Sequence, residues 1–390
     1  MPSPPSAPPP VRVALIGLSS AAQTAWASRA HLPYLLSPLG RSKYQIVALL
    51  NSSEAAARAA IAAYDLPAET RAYGDPAALA ADGDVDLVVC TTRVDKHYET
   101  VLDSVRAGKD AFVEWPLAQN GKVARELAEL AGANGGRTVV GLQGVQAPVV
   151  RRLRGLLGEG RIGRVVSSEL RVFGGLSDRE VVPEGLGYFT EREVGGNIYT
   201  IGFAHVFDMV QAVLGELASV KGDFHLQRPE VRLQDAAGNT VKTVRSNVPD
   251  LFSVSGKWNE SDITQDNATL HYRFRRGQPF PGEPALEWTI NGEKGEIRII
   301  SPQTTFIQVG DPTAPRVIEI HDFERNAVDK VEWDWEAWQN DLPYPARSIG
   351  ALYEAFAAVK AGGAKESYVT FDVAATRHEQ LDGLLAEWKV

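Results

Sequence analysis

The sequence predicts an α/β Rossmann domain followed by an α+β domain with a large, mostly antiparallel open sheet. Two patterns carry that prediction. From Val11 to about Val145, short apolar runs alternate with segments of helical propensity, the arrangement that builds a parallel doubly wound sheet. Beyond that point the apolar runs lengthen and alternate with polar residues, as in strands with one wet face. A chain of 390 residues is also too long for one ordinary core, which fits two domains.

The first strand is Val11–Ile16, closed by Gly17, and the Ala-rich stretch after it to about Leu36 predicts a helix. Gln45–Leu50 is the next strand, ending at Asn51–Ser52–Ser53, and Glu54–Tyr64 follows with strong helical propensity. Val85–Cys90 and Ala111–Glu114 predict further buried strands, Thr138–Leu142 another, with helices over His97–Ala107 and Val123–Ala133. The division expected is a disordered proline-dense arm at 1–10, a dinucleotide-binding domain at 11–145, and a substrate-binding and oligomerisation domain at 146–390. In the last of these, Val149–Leu157 predicts a helix and Gly160–Arg161–Ile162–Gly163 a turn. Strands are expected at Val165–Phe173, Leu251–Gly256, Ala268–Phe274, Leu286–Ile290, Glu296–Ile300 and Thr304–Val309. Helices at Ile201–Leu214, Ile349–Lys360 and Val373–Glu387 would cover one face of their sheet, and Glu332–Trp338 reads as a surface loop or helix start.

Composition removes several function classes. The formal charge of −9 argues against nucleic-acid binding, which needs clustered Lys and Arg; Arg151, Arg152 and Arg154 fit the solvated face of a helix. The single cysteine, Cys90, excludes an intramolecular disulfide and fits a reducing compartment. A cytoplasmic location is expected, or a nuclear one for a regulator. No apolar stretch approaches the roughly 20 residues of a membrane helix. The remaining histidines show no metal-ligand spacing, and there is neither a Gly-x-Ser-x-Gly elbow nor a phosphate loop ending in Gly-Lys-Ser.

The first strand-to-helix turn is Gly17–Leu18–Ser19–Ser20–Ala21–Ala22. A dinucleotide fingerprint has glycine at its first, third and sixth positions; only Gly17 remains, with the small residues Ser19 and Ala22 in the other two places. Gly17 suits the tight turn, Ser19 leaves room for amides to approach a pyrophosphate, and Ala22 permits close helix packing, with the helix N-terminus adding positive potential. Asn51 stands where an acidic residue usually meets the adenosine ribose. Neutral Asn51 does not repel a 2′-phosphate and no arginine follows immediately to pair with one, so NAD and NADP stay equally open.

Several segments resemble the Gfo/Idh/MocA oxidoreductases from Val11 to Glu387. Thr91–Thr92 with His97 is similar to that family's Thr-Pro-Asn…His turn, with Arg93 and Val94 in place of Pro and Asn. Glu114–Trp115–Pro116 resembles its Glu-Lys-Pro, and Val140–Gly141–Leu142–Gln143 through Pro148 its crossing into the second domain. Gly160–Gly163 and Gly292–Glu293–Lys294–Gly295 resemble later turns, and Gly195–Gly196–Asn197 followed by His205 and Asp208 matches part of its Asp-x-Gly-x-His-x-x-Asp motif. A carboxylate is missing there in either alignment, which sets Ile201 or Thr200 in its place. Gly17–Leu18, Val113–Glu114–Trp115, Leu142–Gln143–Gly144 and Val248–Pro249–Asp250 resemble more closely a branch containing the fungal galactose-regulon repressors, in which Trp also replaces Lys.

The resemblance implies a nicotinamide cofactor, NAD or NADP, held by Gly17, Leu18, Ser19, Ser20, Ala22 and Asn51, with Thr91, Thr92, Glu114, Trp115 and Gln143 around the nicotinamide. Tyr199, Thr200, His205 and Asp208 are the implied contacts of a polyhydroxylated or carbonyl substrate, and a homodimer or homotetramer is implied. Trp115 occupies the catalytic lysine's place, and indole only donates a hydrogen bond. His205 is therefore the first acid/base candidate and His97 the second; each has an alternative as a structural histidine. Three functions are compatible: an NAD(P)-dependent oxidoreductase, a dinucleotide-sensing regulator with a protein partner, and a non-redox catalyst on the same scaffold.

Overall fold

The computed structural model describes residues 9–174, 178–309 and 315–389, so all but the end of the expected N-terminal arm lies outside the described residues. The chain forms two compact units. The first comprises the chain up to Ala118, Lys122–Gln143 and Glu336–Thr376; the second comprises Gln119–Gly121, Gly144–Trp335 and the chain from Arg377 onward.

In the first unit, strands β1 (Val11–Ile16), β2 (Tyr44–Leu50), β3 (Arg71–Tyr73), β4 (Leu87–Cys90), β5 (Asp110–Val113) and β6 (Thr138–Val140) form one sheet. Their order is β3-β2-β1-β4-β5-β6, and every pair is parallel. The parallel Rossmann sheet is therefore present, with one short strand, β3, that three half-buried residues gave too little pattern to predict. Gly17, Asn51, Thr91, Glu114 and Gly141 each directly follow a strand, so the chain delivers them to the carboxyl edge, where doubly wound sheets bind ligands at the switch between β1 and β4.

One correction concerns the C-terminal helices. Ile349–Lys360 was expected on the second domain's sheet; the helix is Tyr344–Lys360 and lies in the first unit. Its aromatic residues explain why. Tyr353 is fully buried, stacks on Tyr34 with ring centroids 5.2 Å apart, and packs edge-on against Tyr44. Downstream, the Val140 N–H donates to the Val369 carbonyl at 2.8 Å. Sequence distance concealed this, because none of those partners is local.

The second unit holds β7 (Val165–Phe173), β8 (Val181–Pro183), β9 (Leu217–His225), β10 (Glu230–Gln234), β11 (Thr240–Arg245), β12 (Leu251–Trp258), β13 (Thr264–Arg275), β14 (Leu286–Gly292), β15 (Gly295–Ser301), β16 (Val317–Asp322) and β17 (Ala327–Val331). Eight of them form a sheet ordered β17-β16-β15-β14-β7-β13-β12-β9. All its pairs are antiparallel except β13 with β7, which is the large, mostly antiparallel sheet expected. Alternating burial along β14 and β12 leaves one face apolar and one wetter. A fully buried aromatic cluster of Phe203, Phe207, Phe252, Tyr272 and Phe274 packs the apolar side. A separate small sheet, β11-β10-β8, stands beside it.

The strand expected at Thr304–Val309 is absent. The segment folds into local turns: the Ser301 hydroxyl donates to the Thr304 carbonyl, the Thr304 hydroxyl accepts from the Phe306 N–H, and Ile307 N–H reaches Thr305. Hydroxyl side chains compete with ladder bonds in this way.

Candidate functional site

At the end of β1, Gly17 takes a φ of +94°, and a Cβ there would meet the Thr92 Cγ2 at 2.8 Å and the Thr91 Oγ1 at 3.3 Å. Only glycine fits that conformation and that gap. The Gly17 N–H donates to Leu50 and the Thr91 N–H to Ile16, so the first turn is pinned by both neighbouring strands. After Gly17 the chain does not enter a helix as expected. Ser19 instead makes a local turn, its hydroxyl accepting from the Ala21 N–H at 3.2 Å and its carbonyl from the Ala22 N–H at 3.4 Å. Ala22 is thus a turn residue rather than a helix-packing one. Helical structure begins with a π-turn at Ala27–His31; Ala25, with a φ of +47°, breaks the path into it.

This departure removes a helix dipole from the turn but leaves its amides free. Among the described residues the N–H groups of Leu18, Ser19 and Ser20 have no acceptor. Successive unpaired amides form a nest suited to an anion. Asn51 ties the second strand end to the same turn: its Nδ2 donates to the Leu18 carbonyl at 2.9 Å and to Ala56 at 3.3 Å, leaving its Oδ1 to accept a hydroxyl. Gln143 is buried, and its Oε1 has no partner among the described residues. An unsatisfied buried acceptor costs about 1–3 kcal/mol, which a bound donor group such as a carboxamide would offset. A cramped glycine, free amides and an orphan acceptor together fit a nicotinamide dinucleotide.

Glu114 is buried, with its Oε1 2.9 Å from the His31 Nε2, and the His31 Nδ1 is 2.9 Å from the Tyr353 hydroxyl. Sequence reading gave Glu114 a place at the nicotinamide but missed this chain, since His31 and Tyr353 carry no local signal. Gly141 lies tight against the Glu114 carboxylate, where a Cβ would come within 2.3 Å of Oε2. Trp115 is buried. His97, the second acid/base candidate, is buried with both ring nitrogens against main-chain carbonyls: Nδ1 to Pro116 and Nε2 to Thr92, each at 2.9 Å. Burial lowers its pKa. It clamps the turn after β4 to the turn after β5 and has no nitrogen left for a substrate. Cys90 is likewise inert, its thiol pushed up by burial.

In the second unit two expected substrate contacts have other work. Tyr199 is buried in the aromatic cluster, stacked on Phe203, and its hydroxyl donates to the Leu381 carbonyl at 2.8 Å. Thr200 completes a capping box with Asn197 and donates to the Gly195 carbonyl at 2.7 Å. Both follow from the helical turn Ile198–Phe203, which directs them inward and to the cap.

His205 and Asp208 sit one turn apart on the helix Ala204–Leu214. His205 is buried beside Phe306, has no hydrogen-bond partner among the described residues, and is pushed down to about 4 by burial. Asp208 is pushed up to about 6 by burial, against the pull of Arg377. The Arg377 Nε donates to Asp208 at 3.3 Å while its two other nitrogens hold Glu216 at 2.7 and 2.6 Å. Asp208 is thus held by a residue that the sequence pattern did not single out. Among the described residues no group of His, Cys, Asp and Glu could hold a metal ion, and no helix is long and apolar enough to cross a membrane.

A parallel Rossmann sheet followed by a large, mostly antiparallel sheet defines the class of two-domain fold. Residues 11–142 match the Gfo/Idh/MocA model described as an oxidoreductase family with an NAD-binding Rossmann fold, and residues 148–301 match the C-terminal domain of Gal80p. The chain is therefore a Gfo/Idh/MocA Rossmann domain joined to a Gal80-like C-terminal domain. It is 29% identical over 376 residues to the dehydrogenase aclE of Aspergillus oryzae, covering 96% of this chain and 95% of that one. To the galactose/lactose metabolism regulatory protein GAL80 of Saccharomyces cerevisiae it is 28% identical over 301 residues, covering 74% of this chain and 66% of that protein, slightly under two thirds of the regulator's length. The fold matches a crystal structure of a super-repressor mutant of Gal80p from the same yeast with a TM-score of 0.83 and 23% identity, covering 97% of this chain and 96% of that one. An apo structure of levoglucosan dehydrogenase matches with a TM-score of 0.73, 18% identity and 96% of each chain.

Proposed function

We propose that this protein is an NAD(P)-dependent oxidoreductase acting slowly on a small polyhydroxylated or carbonyl compound. One observation carries the cofactor assignment: the unpaired N–H groups of Leu18, Ser19 and Ser20 beside Gly17. The similarity to a dehydrogenase along almost the full length of both chains supports the reaction class. When bound, the dinucleotide supplies a two-electron hydride acceptor. The amides of Leu18–Ser20 hold its pyrophosphate, the Asn51 Oδ1 its ribose, and the Gln143 Oε1 its carboxamide. His205 accepts the substrate hydroxyl proton as the carbonyl forms. An imidazole held at about 4 is neutral at pH 7, so it is set to take a proton and not to give one. It is also a weak base at that pH, and loss of one acid/base partner at Trp115 costs a further 10²–10⁴ in rate. Slow alcohol oxidation is the expected activity.

Purified protein with NAD or NADP and a panel of sugars and polyols tests this through nicotinamide absorbance. Steady turnover that falls at least 10²-fold in His205→Ala supports the enzyme. A second reading, a dinucleotide-binding regulator of a protein partner, is favoured by Trp115 in the lysine's place and by the Gal80p C-terminal match. Dinucleotide binding without turnover, together with capture of an acidic activation peptide, would select it. Native mass spectrometry of the protein as purified tests the proposed homodimer or homotetramer and any retained cofactor.

A further inference from the structure

Inside the second unit lies a cavity of about 300 Å³. That is at the small end of ligand pockets, roughly 300–1,000 Å³. Its walls come from Asp178, β8 and the segment after it, Ile198, Leu226 and Arg228, the stretch from Ser246 to Asp250, and Arg276 just after β13. Val181, Leu186, Phe189, Ile198 and Val248 make it largely apolar. Ser246 lends it no free hydroxyl, since that group donates to the Thr190 carbonyl and accepts from the Val248 N–H.

The charged residues of the lining are Asp178, Arg228, Asp250 and Arg276; Arg228 lies 3.7 Å from the Glu180 carboxylate, whereas Arg276 gives its hydrogen bonds to main-chain carbonyls. Its Nε donates to the Asp178 carbonyl at 2.7 Å and its Nη2 to the Val181 carbonyl at 2.8 Å. Its Nη1 has no acceptor among the described residues, and burial lowers its pKa. Arg377, which is more deeply buried, instead holds Glu216 through two nitrogens. The carboxylates near Arg276 are already committed. Asp250 accepts the N–H groups of Gln227 and Arg228, each at 2.8 Å, and Asp178 those of Glu180 and Val181 at 2.8 and 3.1 Å. The half-buried Arg276 guanidinium has Asp178 and Asp250 near it but gives its hydrogen bonds to main-chain carbonyls, so its remaining N–H group can make a charge-assisted bond to an incoming anion, which is a strong one. Asp178 and Asp250 are set against Arg228 and Arg276 in the lining, and with Arg228 already beside Glu180 a single anionic charge is favoured over the dianion of a phosphate ester.

We propose that this cavity is a binding site for a small monocarboxylate with an apolar body, its carboxylate on Arg276 and its hydrocarbon part against Val181, Leu186, Phe189, Ile198 and Val248. The site does not depend on the dinucleotide reading. The test is calorimetry on the full chain, with saturating NAD present, using hexanoate, hexanol and hexyl phosphate as probes. Hexanoate is expected to bind at least tenfold more tightly than either of the others. Arg276→Met should reduce hexanoate to the level of hexanol without changing hexanol. Ile198→Trp, which fills the cavity from a half-buried position, should abolish binding of both and decides the matter if Arg276→Met fails to fold by circular dichroism. Equal affinity for acid and alcohol, hexanoate binding that survives Ile198→Trp, competition by NAD, or no binding at millimolar hexanoate would each overturn the proposal.

Discussion

Replacing Gly17 by alanine perturbs the dinucleotide turn in two separable ways. The φ of +94° places an L-residue in a region that costs about 1–3 kcal/mol. Independently, the new Cβ would lie 2.8 Å from the Thr92 Cγ2, and overpacking a well-filled site costs roughly 1–3 kcal/mol. The sum, about 2–6 kcal/mol, is a large share of a domain's stability. Thr92→Ser removes the clashing methyl while keeping the hydroxyl that lies 3.3 Å from the Cys90 sulfur. The double variant Gly17→Ala with Thr92→Ser should therefore recover about 1–2 kcal/mol of the loss, and the remainder is backbone strain. Urea unfolding of the four proteins in the cycle reads the stability, and calorimetry with NAD and NADP reads the amide nest. Both Gly17→Ala proteins should bind dinucleotide more weakly, since strain at Gly17 re-aims the amides that follow it. A Gly17→Ala protein within 0.5 kcal/mol of wild type, or no coupling with Thr92→Ser, refutes the steric account.

Three further perturbations address the rest of the site. Gln143→Leu removes an acceptor that has no partner among the described residues; stability without ligand should stay within about 1 kcal/mol of wild type or rise, while dinucleotide affinity measured by calorimetry falls about tenfold. His31→Leu strands the buried Glu114 carboxylate and the Tyr353 hydroxyl, and thermal unfolding should show a loss of about 1–3 kcal/mol for each group left unsatisfied. His205 and Asp208 pull the pH profile in opposite directions. With a folded pKa of about 4 against 6.5, His205 leaves the unfolded chain holding more protons, so stability rises from pH 4 to 6.5. With a folded pKa of about 6 against 3.8, Asp208 makes the folded state the better proton binder, so stability falls as pH rises from 4 to 6. Each shift corresponds to about 3 kcal/mol. Urea unfolding at pH 4.5 and 6.5 should show a steeper rise in Asp208→Asn than in wild type, and a fall in His205→Gln.

Legibility in the sequence followed the range of the interaction. β1, β2, β4 and β5 were visible because a strand buried on both faces is a continuous apolar run, and the strand ends then located Gly17, Asn51, Thr91 and Glu114. The helix placed directly after Gly17 was wrong because Ala-rich propensity says nothing of the local hydroxyl-to-amide turn at Ser19. For Tyr199 and Thr200 a motif position does not disclose which way a helical turn faces; one packs against Phe203 and the other closes a cap. His31 and Arg377 escaped notice for a simpler reason. Their partners are remote in the chain: Tyr353 for His31, and Asp208 and Glu216 for Arg377.

That last pair bears on what the scaffold can do. Asp208 shares a helix with His205, and a carboxylate hydrogen-bonded to an imidazole would raise its basicity. The observed partner of Asp208 is instead Arg377, whose charge is drawn by Glu216 as well. His205 therefore keeps the low basicity that burial imposes, with no carboxylate bonded to it to compensate. Trp115 contributes no proton acceptor. An oxidoreductase with these groups depends on positioning and on its cofactor more than on general-base strength, and its rate should climb only weakly between pH 6 and 8, since an imidazole of such low pKa is already deprotonated across that range. A steep rise over that interval would require a base with a pKa near neutrality, which neither His205 nor the clamped His97 supplies.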